Sequence, residues 1–406
     1  MKKGWPTKTL AEVCQIKPPK SEAREKVSAS SLVSFLPMED MGIDVKFVQA
    51  TQTKPLSAVV GSYTYFADGD VLLAKITPCF ENGKLGIADG LTNGIGFGSS
   101  EYVVFRPDST VSKEWLYYFL SRETFRVEGA ARMSGAVGHK RVSKEFIEDY
   151  PIPVPPLAEQ QRIVGLLDEA FEGLATAKAN AEKNLQNARA LFESHLQSVF
   201  TQRGPGWVEK RLGELCERIT KGSSPKWQGI SYVDAPGILF VTSENVGEYD
   251  ILLEQPKYVE EKFNAKDKRS ILKNGDVLTN IVGASIGRTA VFDRDDVANI
   301  NQAVCLIRCE PHLLNNYYLT YLLNSPVFKQ VLHDNEVNNA RANLSLGFFS
   351  QLPVPMPPIP KQKEIVAKLD AFREETQRLA RLYERKHAAL EALKKSLLHQ
   401  AFTGLL

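Results

Sequence analysis

The feature that most constrains this chain is that it is written twice. Gly4-Trp5 recurs as Gly206-Trp207, Leu10 and Cys14 recur as Leu212 and Cys216, and Phe105-Arg106 answers to Ile307-Arg308, all at an offset of 202. Leu120, Phe125 and Arg126 answer to Leu323, Phe328 and Lys329 at 203, and Gly69-Asp70-Val71-Leu72 to Gly275-Asp276-Val277-Leu278 at 206. The drift assigns small insertions and deletions to surface loops. The best-kept segment is a proline ladder, Pro151-Ile-Pro-Val-Pro-Pro-Leu157, which returns as Pro353-Val-Pro-Met-Pro-Pro-Ile359. Behind it Gln160, Ile163, Val164, Leu167 and Asp168 match Gln362, Ile365, Val366, Leu369 and Asp370. The halves also close alike, on Leu191, Leu196, Phe200, Thr201 and on Leu393, Leu398, Phe402, Thr403. A repeat this long organises the fold before any single motif does.

Each half has two parts. Residues 1–150 and 202–352 carry short apolar runs broken by Gly, Asn and Asp. Asp70–Ile76, Tyr102–Arg106, Ile238–Thr242 and Val304–Arg308 read as strands, and Trp115–Leu120 and Tyr317–Leu323 as short helices. Gly94-Ile95-Gly96-Phe97-Gly98 superficially resembles a cofactor glycine loop but has no counterpart near Asp295–Asn301, and it reads as a flexible loop. The second parts, 151–201 and 353–406, are a ladder followed by a long helix. Extended prolines cannot continue a helix, but Pro156 and Pro358 can open one. Behind Pro156, apolar residues fall at Val164, Leu167, Phe171, Leu174, Ala181, Leu185, Ala188, Phe192 and Val199. The second copy runs Ile365, Leu369, Phe372, Leu379, Tyr383, Leu390, Leu393 and Leu397. This three-four alternation is a heptad seam. The fold class is therefore α+β: two globular α/β domains joined by two long antiparallel coiled-coil helices, with a pseudo-twofold internal repeat.

A helix with one apolar stripe needs a partner, and charge suggests which. Residues 157–201 hold four basic and six acidic side chains, whereas 361–406 hold ten basic and six acidic, so the two helices complement each other. The alternative is that each helix pairs with its own domain. Over the whole chain 50 Lys and Arg stand against 48 Asp and Glu, a formal charge of +2, which excludes a protein that holds nucleic acid by bulk positive charge. No run of about 18 apolar residues is present, so no membrane span is expected, and no secretory leader follows Met1-Lys2-Lys3. The five cysteines, Cys14, Cys79, Cys216, Cys305 and Cys309, suit buried thiols in a reducing cytoplasm better than a disulfide framework.

Catalytic constellations are missing. There is no phosphate-cradling G-x-x-x-x-G-K-[S/T] loop. The Pro-Pro pairs of Lys17-Pro18-Pro19-Lys20 and of the two ladders do not lie in the Asn/Asp-Pro-Pro-aromatic context in which an amino-methyltransferase stacks a flipped base. Pro107-Asp108 lacks the nearby Asp/Glu-x-Lys that would complete a Mg²⁺ nuclease site, and Cys305-x3-Cys309 lacks further metal ligands at suitable spacing. No metal and no resident cofactor are expected.

The two segments Pro153-Val-Pro-Pro-Leu-Ala-Glu-Gln-Gln-Arg-Ile-Val164 and Pro355-Met-Pro-Pro-Ile-Pro-Lys-Gln-Lys-Glu-Ile-Val366, with the openings at Trp5–Cys14 and Trp207–Lys221 and the two Gly-Asp-Val-Leu runs, carry a resemblance over essentially the whole chain. The chain resembles the specificity (S) subunit of type I restriction-modification systems. That resemblance implies two target recognition domains, each reading one half of a split sequence in double-stranded DNA. It implies helices that fix the gap and carry methyltransferase subunits, two in number, with restriction subunits joining the core. S-adenosylmethionine, ATP and Mg²⁺ would act in those partners, and this chain would have no catalysis of its own. Lys361 and Lys363 depart from Glu159 and Gln161 of the first copy, where they can tune subunit contacts.

Base readout wants polar donors on exposed loops. The candidates are Lys75, Thr77 and Lys84 behind the first Gly-Asp-Val strand, with Asn280, Ser285 and Arg288 in the second copy. A further set lies ahead of the ladders: Arg132, His139, Lys140 and Arg141, then Asn338, Asn339, Arg341 and Asn343. These segments differ between the copies while their flanks match. Ordinary solvated loop residues are the alternative for each. Trp115, Tyr117, Tyr118, Tyr317, Tyr318 and Tyr321 are either stacking platforms for bases or core, and their leucine neighbours favour core. Two other function classes stay open: a self-sufficient methyltransferase or nuclease with unrecognised motifs, and a coiled-coil scaffold that does not touch DNA.

Overall fold

The computed structural model describes residues 5–136, 138–338 and 344–406, with 333 and 336–338 described by backbone alone. The chain divides into two compact units, Met1–Ala181 with Arg385–Leu406, and Glu182–Glu384. The division passes through both long helices, so each unit holds one globular domain, its ladder, the start of the helix behind that ladder and the end of the other helix. Among the described residues no helix is long and apolar enough to cross a membrane.

The globular domain of the first unit has two four-stranded sheets. One runs Cys14–Ile16, Tyr102–Pro107, Val71–Ala74, Leu85–Ile87, antiparallel throughout. The other runs Gln52–Pro55, Leu32–Leu36, Ile95–Gly98, Thr64–Ala67, with its two central strands parallel. The second unit repeats the first sheet as Cys216–Lys221, Val304–Cys309, Asp276–Asn280, Thr289–Phe292, and its other sheet runs Tyr232–Val233, Tyr258–Val259, Ile238–Val241, Ala298–Ile300, where the parallel pair, Ile238–Val241 with Ala298–Ile300, lies at the edge. Val71–Ala74 and Asp276–Asn280 are buried on both faces; the first reads as an unbroken apolar run for that reason, whereas the second also buries the polar side chains of Asp276, Thr279 and Asn280.

The glycine-rich stretch is not a flexible loop. Ile95–Gly98 is a fully buried central strand. A Cβ at Gly96 would collide with the Phe66 ring, and one at Gly98 with the Leu36 carbonyl, so glycine is needed there for close packing.

Gly69 and Gly275 open the motif strands at φ 89° and 93°, a region that favours glycine. The aspartates that follow are buried and meet the repeated arginines across the sheet. Arg106 grips Asp70 through Nε at 2.7 Å and Nη2 at 2.8 Å, and Arg308 grips Asp276 through the same atoms at 2.7 Å each. Asp70 also accepts the Ala67 N–H, and Asp276 the Lys273 N–H. Burial pushes the Asp70 carboxyl up while Arg106 and the Ala67 amide oppose it, and Asp70 in turn holds Arg106 firmly protonated. Burial pushes the Cys14 thiol up to about 12, which makes it inert.

The ladders are extended, as expected, and are also paired. Pro151–Pro153 lies antiparallel to Thr7–Thr9, and Pro353–Met356 to Val208–Arg211. Each ladder feeds a 45-residue helix, Leu157–Thr201 and Ile359–Thr403. A buried glutamine locks each joint. Gln160 accepts the Ser112 N–H at 2.8 Å and donates to the Thr110 and Pro155 carbonyls, while Gln362 accepts from Asn315 at 2.8 Å and donates to Leu313 and Pro357.

The aromatic helices Lys113–Leu120 and Asn316–Leu323 are core, not stacking platforms, except that Tyr317 is 41% exposed. Trp115 Nε1 donates to the Pro153 carbonyl and Tyr318 Oη to that of Pro355. Tyr118 donates to Asp168 and Tyr321 to Asp370, and burial raises both phenols above their ordinary range.

In the first unit Val164 and Leu167 are buried and Phe171 and Leu174 half-buried, together with half-buried Leu390 and Leu397 and buried Leu398 and Phe402. Lys178 pairs with Glu391 at 2.7 Å and Arg162 donates to the Leu406 carbonyl, so the two helical segments run in opposite directions. In the second unit Ile365 and Leu369 are buried, Leu185, Phe192, Phe372, Leu379 and Tyr383 half-buried, and Arg189 meets Glu384 at 3.1 Å. Phe402 packs on Trp115 in one unit as Phe200 packs on Tyr318 in the other, at centroid distances of 4.4 and 5.4 Å. Leu393 leaves the expected seam and is 46% exposed. The inward phase runs through Leu390, Lys394 and Leu397 instead, because Leu393 sits three residues after Leu390 where the helix needs four.

Candidate nucleic-acid interface

In the first unit the two candidate segments, distant in sequence, lie side by side. The Thr77 N–H donates to the Lys140 carbonyl at 2.9 Å and the Val142 N–H to the Lys75 carbonyl at 3.0 Å. Short bridges join Arg141 to Ile76 and to Ser134. Arg141 grips both carboxylate oxygens of Glu101, at 2.8 and 2.9 Å, and thereby holds the Glu101 carboxyl below its usual range. Lys75 Nζ donates to the Ser100 carbonyl and Thr77 Oγ1 to Glu81. Arg132, His139 and Lys140 are exposed. Lys84 is less available than a loop lysine should be, since its ammonium, half-buried, donates to the Met38 carbonyl at 2.6 Å.

The second unit uses the same join: the Leu344 N–H donates to the Ile281 carbonyl at 3.0 Å, the counterpart of Val142 and Lys75. Here one candidate is corrected. Asn280 is not on an exposed loop but is fully buried as the last residue of its strand. Its amide nitrogen donates to the Ser243 and Val246 carbonyls and to Ser285 Oγ, and thus ties off the turn that follows. A polar residue at a strand end looks like a loop residue in sequence; here it satisfies buried carbonyls. Arg288 is exposed and Ser285 half-exposed. Asn338 ends the helix Pro326–Asn338 and is described by backbone alone, and Asn339, Arg341 and Asn343 lie outside the described residues.

Sequence reasoning passed over Trp227, which is 83% exposed on the turn Lys226–Gln228, and Tyr232, which is 57% exposed. The signal is an aromatic beside a lysine between Gly222 and Gly229, where the matching connection of the first copy, residues 17–31, has no aromatic residue. Chemically, these surfaces offer ammonium, guanidinium, hydroxyl and aromatic groups without a nucleophile–base pair. Among the described residues no three His, Cys, Asp or Glu side chains converge to hold a metal. Donors of this kind suit phosphate oxygens and base edges.

Comparison with known proteins places this geometry. The family model described as type I restriction modification DNA specificity domain matches residues 2–185 and again 205–384. The type I restriction enzyme EcoAI specificity subunit of Escherichia coli is 38% identical over 215 residues, 53% of this chain and 35% of that protein. The EcoBI specificity subunit of the same organism is 26% identical over 67% of this chain and 61% of its own length. The chain thus spans about a third of the length of the more similar of these two relatives. Two solved structures share the fold. One, from work on complex assembly and conformational transition of the type I R-M system, has a TM-score of 0.79 at 21% identity, covering 98% of both chains. The other, the HsdS subunit from Thermoanaerobacter tengcongensis, has a TM-score of 0.66 at 21% identity, covering 100% of this chain and 98% of that one. With its specificity domain matched once in each half, the chain belongs to the type I restriction modification DNA specificity domain family.

Proposed function

We propose that this chain is the DNA sequence-specificity subunit of a type I restriction-modification complex. Each globular domain reads one half of a bipartite target, and the paired helices, an antiparallel coiled coil, set the gap. The helices also dock two methyltransferase subunits, and restriction subunits join that core. S-adenosylmethionine, ATP and Mg²⁺ act in those partners, and this chain performs no chemistry itself.

The observation that carries this reading is the contrast between joint and loop. The locks Gln160 and Gln362 make the same three bonds in both copies, whereas the segments behind Ala74 and Asn280 have different residues. One scaffold holding two diverged readers suits a target whose halves are unlike.

Reconstitution with methyltransferase subunits tests the proposal. The chain alone should bind duplex weakly and with strong salt dependence, and the complex should select a split sequence from a random library. A complex without sequence preference contradicts the reading.

A further inference from the structure

In the motif Lys17-Pro18-Pro19-Lys20 the first proline is buried, while Lys17 is exposed and Lys20 half-exposed. The motif forms one wall of a cleft of about 790 Å³ in the first globular domain. Lys75, Arg141 and Lys144 line the same cleft, and the only carboxylate on the lining is Glu148, 3.3 Å from Lys144. Arg141 is committed to Glu101, but among the described residues no carboxylate lies within ion-pair distance of Lys17, Lys20 or Lys75. Lys20 and Lys75 instead donate to the carbonyls of Gly61 and Ser100 at 3.0 and 3.2 Å, which aims them, and the charge of Lys75 is felt by the nearby Glu101 carboxyl, which Arg141 already grips.

The concentration is notable in a domain that is otherwise balanced, with 19 basic and 18 acidic side chains in residues 1–150. Lys17 stands at φ 60°, a left-handed conformation that favours glycine, and is held there by its N–H bond to the Val104 carbonyl. Burial, and then the like charges of Lys17 and Arg24, lower the Lys20 ammonium below its ordinary range, as expected where cations gather without a counterion. Hydroxyls of Ser62, Tyr63 and Thr64 line the same cleft. Most protein–DNA hydrogen bonds go to phosphate and sugar, and ammonium groups gathered with hydroxyls on one groove suit phosphate oxygens.

We propose that this cleft grips the phosphate backbone of duplex DNA and sets the register of the first reader, while base selection lies in the loops beyond it. The inference rests on the DNA-reading function proposed above. Its partner is the sugar-phosphate strand, recognised by charge and hydroxyl donors and not by sequence. Lys17, Lys20 and Lys75 are the positioning residues.

The test is fluorescence anisotropy of the full chain with a labelled random-sequence duplex across a salt series. Each phosphate contact contributes about 0.9 to the slope of log affinity against log salt, so replacing all three lysines by glutamine (Lys17→Gln, Lys20→Gln, Lys75→Gln) should lower that slope by roughly 2–3 and weaken binding about tenfold or more near 0.1 M salt. The arginine triple (Lys17→Arg, Lys20→Arg, Lys75→Arg) should restore both, and Lys268→Gln with Lys273→Gln, in the second domain, should leave nearly the whole slope in place. Urea unfolding of each variant separates lost contacts from lost folding. Unchanged slope and affinity in a folded glutamine triple, with the wild type binding duplex, overturn the cleft and leave the DNA-reading function standing. Absence of salt-sensitive binding by the wild type removes both. A changed sequence preference in the reconstituted complex, with an unchanged slope, makes the cleft a base reader and overturns the backbone role.

Discussion

Asp276 and Arg308 are both nearly inaccessible, so neither has water to fall back on. Removing one charge of such a pair strands the other, at a cost of about 3–5 kcal/mol. Asp276→Ala should therefore destabilise the second unit by that amount in urea unfolding. Asp70→Ala should cost less, because Arg106 is more exposed and keeps Glu22 at 2.6 Å, whereas the carboxylate left to Arg308, Glu217, is 3.9 Å away. The repeat made all four charged residues visible in sequence, at offsets of 206 for the aspartates and 202 for the arginines. It did not reveal that they meet, since antiparallel neighbours can be dozens of residues apart. Glu101 carries a second prediction. Its carboxyl is held low by Arg141, so the fork is complete above the ordinary carboxylate value of about 4.3 and is lost as pH falls through the lower folded value. Arg141 is exposed, so solvent screens the pair and its effect on global stability is small, and a local probe is needed. Glu101→Gln should speed amide hydrogen exchange at Thr77 and Val142 at neutral pH with little change in global stability. Unchanged exchange would mean that the backbone join stands without the fork.

The helices were the most legible elements, because helical period is local and survives without knowledge of the partner. Even so, apolar residues alone misplaced one step. Leu393 has seam spacing in the sequence, but the inward positions nearby are Lys394, whose ammonium reaches Asp44 at 2.8 Å, and Leu397 with buried Leu398. The inward position four residues after Phe372 is likewise a buried threonine, Thr376, which apolar counting skips. The two leucines offer a direct check. Leu398→Ala should cost about 2–5 kcal/mol through lost burial and the cavity left behind, whereas Leu393→Ala should stay within about 0.5 kcal/mol. Equal losses in thermal or urea unfolding would place Leu393 inside after all. Sheets were less legible. The individual strands Val71–Ala74 and Val304–Cys309 sit where short apolar runs occur, but the parallel pairing of Leu32–Leu36 with Ile95–Gly98 has no local signature. Glycine density suggested mobility in Ile95–Gly98, where packing against Phe66 is what requires glycine. The candidate loops were found by divergence between copies, a signal that also caught Asn280, whose role is internal.

Across the whole molecule the near-zero charge conceals an uneven distribution. The central helix region 157–201 is acidic, the region 361–406 is basic, and the globular domains are close to neutral with cations gathered in one cleft. Such a protein does not hold DNA by bulk charge, so under the proposed function specificity and grip must come from placed contacts and from partner subunits. The central claim is that two independent readers sit on one duplicated scaffold. Methylation-site sequencing of a host that expresses this chain with its methyltransferase subunits tests it most directly, done once with the native chain and once with residues 1–150 replaced by the equivalent domain of another member of the family. The account predicts a split, asymmetric motif with a fixed gap, in which the exchange rewrites one half-site and leaves the other half and the gap unchanged. A continuous motif, or an exchange that alters both halves together, would contradict it.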